Sequence, residues 1–420
     1  MKTEERRAIA LDQAQSLVAA LARPLRTERV PLAAAFGRRL AEPLVADAPV
    51  PAFARSGMDG YAVRAADLAG ASPARPARLV VAGETIASGV AEEPPPIAPG
   101  EASRIMTGAP LPPGADAVVM LEAVRMEVEG GDPRAVFAGP VRAGLNVTPV
   151  GGEISPGEPL LAAGARIGPG EAALLASFGR TRPLTYARPR VAIVTTGSEV
   201  IAPEETPAYG QIRNSNLVML RALAEEAGAE VVHTAHIVDD EAGIEREIGA
   251  GLNAGADVVL TSGGVSVGDF DVTGHVLRRE GRTLLFNKIS MRPGSVTSAA
   301  AQDGRLIFGL SGNPSACFVG FALLVRPALA RMGGRPDFDL PSYAAQLGED
   351  FPKGGAFWRY LRGWTAMENA TVRVMPCRGN RSSDIRSIRE ADCLIAIPPC
   401  PDGLPAGTIV EAIPLGPWRE

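Results

Sequence analysis

Between Arg188 and Gly334 one pattern recurs, and it restricts the architecture more than any other feature of the chain. An apolar, β-branched run ends in small polar residues, and a helical stripe follows. Val191 to Val194 read as a buried strand, and Leu217, Leu220, Leu223 and Ala227 as one face of a helix. Val231 to Val238 form the next strand, and Ile244, Ile248 and Leu252 the next stripe. Further strands fall at Val258–Leu260, Leu284–Phe286 and Leu306–Leu310, and a last helix runs from Ser315. Strands alternating with helices of this length predict a three-layer α/β sandwich on a mostly parallel sheet.

In an open sheet of this kind ligands bind where loops leave the carboxyl ends of the strands. Three loops suit that use. The first is Thr195-Thr196-Gly197-Ser198-Glu199, with hydroxyls, a glycine for close approach and one acid. The second lies in ADVVLTSGGVSVGDFD (256–271), where the strand stops in Thr261-Ser262-Gly263-Gly264 and Gly268 precedes two carboxylates, Asp269 and Asp271. Backbone N–H groups exposed by small residues suit an anion, and acids beside them suit a divalent cation bridging protein and phosphate. The third, Ser311-Gly312-Asn313-Pro314, opens a helix with Pro314 in its first turn, which leaves N–H groups free for an anion. Each loop alone reads equally well as an ordinary turn into a helix. Three on one edge favour a phosphate-and-metal site. Lys288 and Arg292, the latter in Arg292-Pro293-Gly294, add local positive charge where isolated cations would mark a solvated strand end.

The flanks follow other rules. Leu11, Ala14, Val18 and Leu21 recur at helical spacing, and Asp12 with Gln15 resembles a capping box. Breaks at Pro43, Pro49 and Pro51 precede short strands that include Tyr61–Val63, Leu79–Ala82 and Ala117–Leu121, and helical character returns at Glu171–Ala176. Asp59-Gly60 is by its chemistry a hairpin turn, and Thr107-Gly108 before Ala109-Pro110 is unremarkable alone. Beyond Gly333-Gly334 and Pro336, short strands at Tyr360–Trp364, Thr371–Met375, Leu394–Ile397 and Ile409–Ile413 predict a small β-barrel or sandwich.

A chain of 420 residues exceeds the roughly 250–300 at which single cores stop growing, so two to four domains are expected. With 46% hydrophobic and 21% charged residues it reads as globular. The 47 Gly and 37 Pro imply many turns and β-rich pieces. A net charge of −5 argues against generic nucleic-acid binding. The four cysteines lack C-x-x-C spacing and the chain has three histidines, so zinc is a weak reading; His233 and His236 sit in a strand-like segment and read as structural. The N-terminus has no signal-peptide core, and the apolar run Cys317–Val325 is too short to span a bilayer, so a cytoplasmic protein with reduced thiols is expected. These residues define an anion- and metal-binding α/β domain with β-rich additions; they name no reaction.

The segments SGMDGYAV (56–63), RIMTGAPLPPGADAVV (104–119), TTGSEV (195–200), GQIRNSN (210–216), SGGVSVGDFD (262–271), MRPGS (291–295) and GLSGNPSA (309–316), taken in order, resemble the molybdopterin molybdenumtransferase family, molybdenum-inserting enzymes related to the E domain of gephyrin. The C-terminal part matches in length and β character only. The resemblance implies a homodimer of four-domain subunits. These are an N-terminal helical and linker domain (8–50 with 151–183), a β-rich inserted domain (51–150), a molybdopterin-binding α/β domain (184–334) and a barrel-like domain (335–420). It also implies insertion of molybdate into adenylylated molybdopterin with release of AMP, helped by Mg²⁺. Carried over by position, catalytic roles fall on Asp59, Thr107, Glu199, Asp239 and Asp271, and metal ligation on Glu199, Asp239, Asp269 and Asp271. Contacts to the pterin substrate and the oxyanion fall on Thr196, Gly197, Ser198, Asn214, Ser262, Gly263, Gly264, Val265, Ser266, Gly268, Lys288, Arg292, Pro293, Gly294, Ser311, Gly312 and Asn313. The molybdopterin adenylyltransferase and molybdoenzyme acceptors are the implied protein partners.

The chain departs from the family pattern at three places. Glu153, in Gly151-Gly152-Glu153-Ile154, stands in a segment that usually holds Asp. Ser295 replaces a common Lys, and Ser311 a common Pro. Competing readings are the adenylyltransferase itself, a non-catalytic pterin-binding scaffold, and a deamidase-type enzyme sharing the α/β domain. The adenylyltransferase and the deamidase-type enzyme do not account for the motifs at 56–63 and 104–119, and the chain shows no long linker or second pterin domain to suit a scaffold.

Overall fold

The computed structural model describes residues 7–85, 93–264, 272–352, 354–379 and 383–416. The chain forms two compact units, one of 1–42, 163–172 and 181–420, the other of 43–162 and 173–180.

The second unit is built on a six-stranded sheet. Its strands are β1 (Gly60–Val63), β2 (Ala77–Thr85), β3 (Glu101–Ile105), β4 (Ala117–Met120), β5 (Val124–Glu129) and β6 (Asp132–Phe137), in the order β4-β1-β3-β2-β6-β5. Only β2 and β3 run parallel. Tyr61, Val63, Leu79, Val119 and Phe137 fill one face, with the Tyr61 and Phe137 rings edge to face at 6.5 Å. Asp59-Gly60 makes no hairpin here, contrary to its sequence signature. The short strand before it, Arg55–Ser56, pairs with Val147–Thr148, whereas β1 pairs with β3 and β4. Gly60 is required for a different reason: a Cβ there would lie 2.0 Å from the Val119 carbonyl oxygen. Close approach of two strands, not a positive φ, excludes a side chain.

The first unit contains the sandwich expected from the alternating pattern. Strands β7 (Arg190–Thr196), β8 (Glu230–Ile237), β9 (Val258–Ser262), β10 (Thr283–Phe286), β12 (Ser298–Gln302) and β13 (Arg305–Leu310) lie in the order β8-β7-β9-β13-β12-β10; β11 (Met291–Arg292) belongs elsewhere. The first four are parallel, and β12 and β10 extend the sheet antiparallel. Because successive strand residues face opposite sides, Val191, Ile193, Val258, Leu260, Leu306 and Phe308 pack on one face, and Ala192, Val259 and Ile307 on the other. The first face is covered by α1 (Leu11–Leu21), α2 (Ser215–Glu226) and α4 (Pro314–Gly320), the second by α3 (Glu241–Asn253) through Ile244 and Ile248. Helix α1 buries Ala14 and Val18, but its cap differs from the expected one. The Gln13 side chain accepts from the Ala10 N–H (3.2 Å), while Gln15 donates to the Leu323 carbonyl (3.0 Å) and docks the helix.

Helix α4 continues through a π-helical turn, Phe321–Val325, into α5 (Arg326–Met332). The full stretch Pro314–Met332 is long and apolar enough to cross a membrane by length and composition. However, 83% of that apolar window is buried inside the molecule, as befits a core helix.

Beyond it, β14 (Tyr343–Leu347), β15 (Trp358–Glu368), β16 (Thr371–Pro376), β17 (Cys393–Ile397) and β18 (Ile409–Pro414) form a five-stranded barrel, closed by pairing of β15 with β17. Strand β11 joins its margin through Met291–Arg292 beside Trp358–Arg359. All four cysteines are buried and unbridged.

Candidate functional site

The parallel strands fix where a site can be. In chain order β7 is first, β8 lies on one side of it and β9 on the other, so the connections diverge between β7 and β9. A crevice opens at such a switch point, outside the carboxyl ends of the strands. Four loops leave that edge side by side: Asp239 after β8, Thr196–Glu199 at the end of β7, Ser262–Gly264 at the end of β9, and Ser311–Asn313 after β13.

The loops are tied together by buried polar contacts. Asn216, in the first turn of α2, donates through Nδ2 to Ser262 Oγ (2.8 Å) and to the Gly312 carbonyl (2.9 Å). Ser262 Oγ in turn donates to the Ser311 carbonyl (3.1 Å). One side chain thus joins three elements. Asn214 caps α2, accepting from the Leu217 N–H (3.1 Å), and its Nδ2 donates to Thr195 Oγ1 (2.8 Å). Both its polar ends are therefore engaged within the protein. Beneath, burial pushes the Cys317 thiol up to about 12, against a hydrogen-bonding contact with Ser262 that favours the thiolate.

Two polar atoms at this crevice have no protein partner among the described residues. Thr196 Oγ1 and Asn216 Oδ1 are buried without a hydrogen bond among the described residues. Such atoms are costly unless something pairs with them. Gly263, at φ +103°, sits against Thr196: a Cβ there would fall 2.3 Å from the Thr196 carbonyl oxygen and 2.7 Å from Oγ1. Only glycine leaves that space open. Val265, Ser266, Gly268, Asp269 and Asp271 lie outside the described residues.

Glu199 and Asp239 are exposed, and neither side chain has an ion pair or hydrogen bond among the described residues. Glu199 folds back over Gly197, with Oε2 3.0 Å from where a Gly197 Cβ would be. Uncommitted carboxylates on adjacent loops are hard oxygen donors that fit Mg²⁺. They supply part of a donor set: no three His, Cys, Asp or Glu side chains converge among the described residues. Ser198, Gly312 and Asn313 are exposed at the same edge, and the Asn313 side chain does not cap α4. Ser311 is buried and its Oγ accepts from the Asn313 N–H (3.2 Å).

The basic residues sit at β11. Arg292 is exposed, with its guanidinium 5.4 Å from the Phe357 ring centroid, a cation–π contact. Pro293 follows in a cis peptide, and Gly294 starts a turn to Thr297. Lys288 is half-buried, and its carbonyl accepts from the Ile9 N–H.

Asp59 and Thr107 lie in the second unit and form a pair of their own. Asp59 Oδ1 accepts from the Thr107 N–H and from Thr107 Oγ1, each at 2.7 Å. The backbone bond first and the hydroxyl second hold the Asp59 carboxyl below its ordinary range. Glu153, the departure noted above, pairs with Arg55.

Family profiles cover this architecture end to end. The MoeA N-terminal region (domains I and II) matches residues 9–179, a probable molybdopterin binding domain 192–331, and the MoeA C-terminal region (domain IV) 344–415. A molybdopterin molybdenumtransferase of Bacillus subtilis (strain 168) is 38% identical over 412 residues, covering 98% of this chain and 95% of its own. The chain belongs to the MoeA family of molybdopterin molybdenumtransferases. The Staphylococcus aureus (strain MRSA252) relative of the same name is 38% identical over 89% of this chain and 88% of its own. The crystal structure of a molybdopterin biosynthesis MoeA protein from Pyrococcus horikoshii superposes with a TM-score of 0.80 at 31% identity, covering 98% of this chain and 100% of that one.

Within this MoeA protein, the residue that sequence reasoning passed over is Asn216. It lies in the quoted GQIRNSN segment, but only Asn214 stood out there. The doubled asparagine was the available signal: one caps the helix, which frees the other to reach across the loops.

Proposed function

We propose that this chain inserts molybdate into adenylylated molybdopterin and releases AMP, with Mg²⁺, in molybdenum cofactor biosynthesis. The observation that carries the reading is the crevice between β7 and β9, with its two unpartnered buried oxygens and the space kept open by Gly263. A fused pterin presents several N–H and C=O groups, which suit Thr196 Oγ1 and Asn216 Oδ1. In this reading Ser262, Gly263, Gly264, Val265, Ser266 and Gly268 form the organic cradle, with Thr196, Gly197 and Ser198 on the facing loop. Asn214 positions that loop through its cap and its bond to Thr195, and the second hydrogen of its Nδ2 can donate to the ligand. Ser311, Gly312 and Asn313 line the third side.

Mg²⁺ would be held by Glu199, Asp239, Asp269 and Asp271, and when bound it neutralises charge on the pyrophosphate link between pterin phosphate and AMP. Lys288 and Arg292 would hold the molybdate oxyanion, with Pro293 and Gly294 shaping the turn. With Ser295 in place of lysine, Arg292 carries more of that duty, and the Phe357 ring restrains its guanidinium. The remaining catalytic roles go to Asp59, whose carboxylate is held by Thr107, and to Asp271. The proposal includes a cytoplasmic homodimer of the four domains given above, acting on small-molecule substrates and meeting the adenylyltransferase and molybdoenzyme acceptors.

The test is AMP release from adenylylated molybdopterin by purified protein. Release that requires both Mg²⁺ and molybdate is expected. Formation of adenylylated pterin from pterin phosphate and ATP, with release of pyrophosphate, would transfer the assignment to the adenylyltransferase, and AMP release indifferent to molybdate would reduce the activity to hydrolysis of the link.

A further inference from the structure

At the opposite end of the parallel sheet from the crevice, the first unit contains a second cavity of about 470 Å³. Its walls include Arg188 and Pro189, just before β7, and Leu223 to Gly228, between α2 and β8. Strand β7 is seven residues long, so at about 3.3 Å per residue the two sites are roughly 20 Å apart.

Six arginines line this cavity: Arg38, Arg39, Arg166, Arg188, Arg326 and Arg335. Two are neutralised locally, Arg38 by Glu28 and Arg335 by Asp337 (2.7 Å). Arg39, Arg166, Arg188 and Arg326 have no carboxylate within 4.0 Å among the described residues. The acids on the wall are Glu225, engaged by Arg221 (3.2 Å), and Glu226. Positive charge therefore exceeds negative along this wall, part of it buried at Arg326 and part of it exposed at Arg166 and Arg188. Arg326 Nη1 donates to the carbonyls of Pro414 (2.7 Å) and Leu415 (3.1 Å), but its Nη2 is buried with no acceptor among the described residues. Burial, then Arg335 and Arg166, lower the pKa of Arg39, and burial lowers that of Arg326 to about 10. Arg39 Nη1 donates to the Gly164 carbonyl (2.8 Å), so the nitrogens left for an anion are the rest of Arg39, Arg326 Nη2 and the exposed guanidinium groups of Arg166 and Arg188. The remaining wall is apolar, with Tyr186, Phe318, Phe321 and Leu329 among its members.

We infer that this cavity binds a small organic phosphate, with the phosphoryl group among Arg39, Arg166, Arg188 and Arg326 and a flat or aliphatic body against the aromatic wall. Guanidinium groups match phosphate oxygens in geometry and charge, and the volume falls within the roughly 300–1,000 Å³ of small-molecule sites. The inference is independent of the catalytic reading, since no residue is shared.

The test uses the full chain with phenyl phosphate and inorganic phosphate as probes, followed by calorimetry and hydrogen exchange. Phenyl phosphate should bind more tightly than phosphate, and protection should appear at 36–39, 186–189 and 326–335. R166A/R188A removes two exposed side chains that bond to nothing else described, so folding should be retained. It should weaken phenyl phosphate about tenfold or more without changing AMP release. R326K, which keeps the charge but loses the second donor nitrogen, should weaken it less. No binding at millimolar probe, binding unchanged in R166A/R188A, or protection confined to 196–199 and 262–264 would each overturn the inference. So would a change of oligomeric state in R166A/R188A with binding intact, which would give the arginines to a subunit contact.

Discussion

The switch-point loops of the first unit and the Asp59–Thr107 pair of the second are both polar, yet they are built on opposite principles. At the switch point, Asn216, Ser262 and the Ser311 and Gly312 carbonyls satisfy one another in a buried network that spans three elements. Asn216 Oδ1, which has no hydrogen-bond partner among the described residues, belongs to a side chain fixed by this network. The Asp59–Thr107 pair is a two-residue contact at the surface. A site of the first kind couples function to stability, because any change that opens it also loosens the fold. A site of the second kind can be altered chemically with little structural consequence.

Gly263→Ala should show this coupling most strongly. The new methyl meets the Thr196 carbonyl, and φ +103° is unfavourable for any L side chain. One loop must shift, at a cost of about 2–4 kcal/mol, and AMP release should be lost. Chemical denaturation alongside the activity assay decides; wild-type stability with full activity would mean that the two loops are not rigidly opposed.

Asn216→Ala comes next. It removes two donated bonds and leaves Ser262 Oγ and the Gly312 carbonyl short of a partner, a loss of about 1–3 kcal/mol. Substrate affinity should fall as well, with Asn216→Asp no better, since a carboxylate cannot donate to either acceptor. If Asn216→Asp binds substrate normally, the network is not what orients the loops.

Much of the first region is legible in the sequence, and the reason is geometric. A parallel strand buried on both faces has to be apolar throughout, so β7, β9 and β13 announce themselves; β8, partly buried at the sheet edge, shows only through its extended, β-branched residues. The loops of all four fall on one edge by topology. Strands β12 (SAAAQ) and β14 (YAAQL) gave no such signal. Alanine-rich and without clear alternation, they are strands because of their partners. Asp59-Gly60 misled for a related reason: its chemistry permits a hairpin turn, but the long-range pairing of β1 with β3 and β4 decides its conformation. Asn216 was hidden because its role depends on where Ser262 and Gly312 are brought, and both are far away in sequence.

In the second region the expected effects separate. Asp59→Asn keeps an oxygen that can accept from the Thr107 N–H and hydroxyl, but removes the charge. The thermal unfolding temperature should fall only slightly at neutral pH, where the small contribution of the exposed carboxylate is lost, while AMP release falls by about 10²-fold if Asp59 acts electrostatically. Unchanged activity would remove Asp59 from the catalytic group.

Thr107→Ala should give the smallest change and the sharpest diagnosis. The backbone N–H of residue 107 still reaches Asp59, so the larger of the two stabilising bonds survives and only the hydroxyl is lost. The Asp59 carboxyl lies below its ordinary value in the folded protein. Its contribution to stability is therefore complete above the unfolded pKa and is lost as pH falls through the folded one. Removing the hydroxyl moves the folded pKa part of the way back up, so that loss begins at higher pH. Carboxyl titration followed by NMR should show an upward shift of Asp59 in Thr107→Ala. An unmoved Asp59 titration would mean that the hydroxyl does nothing for the carboxylate, and an equal loss of stability at every pH would mean that Thr107 is structural, so that the contrast with the buried network would fail.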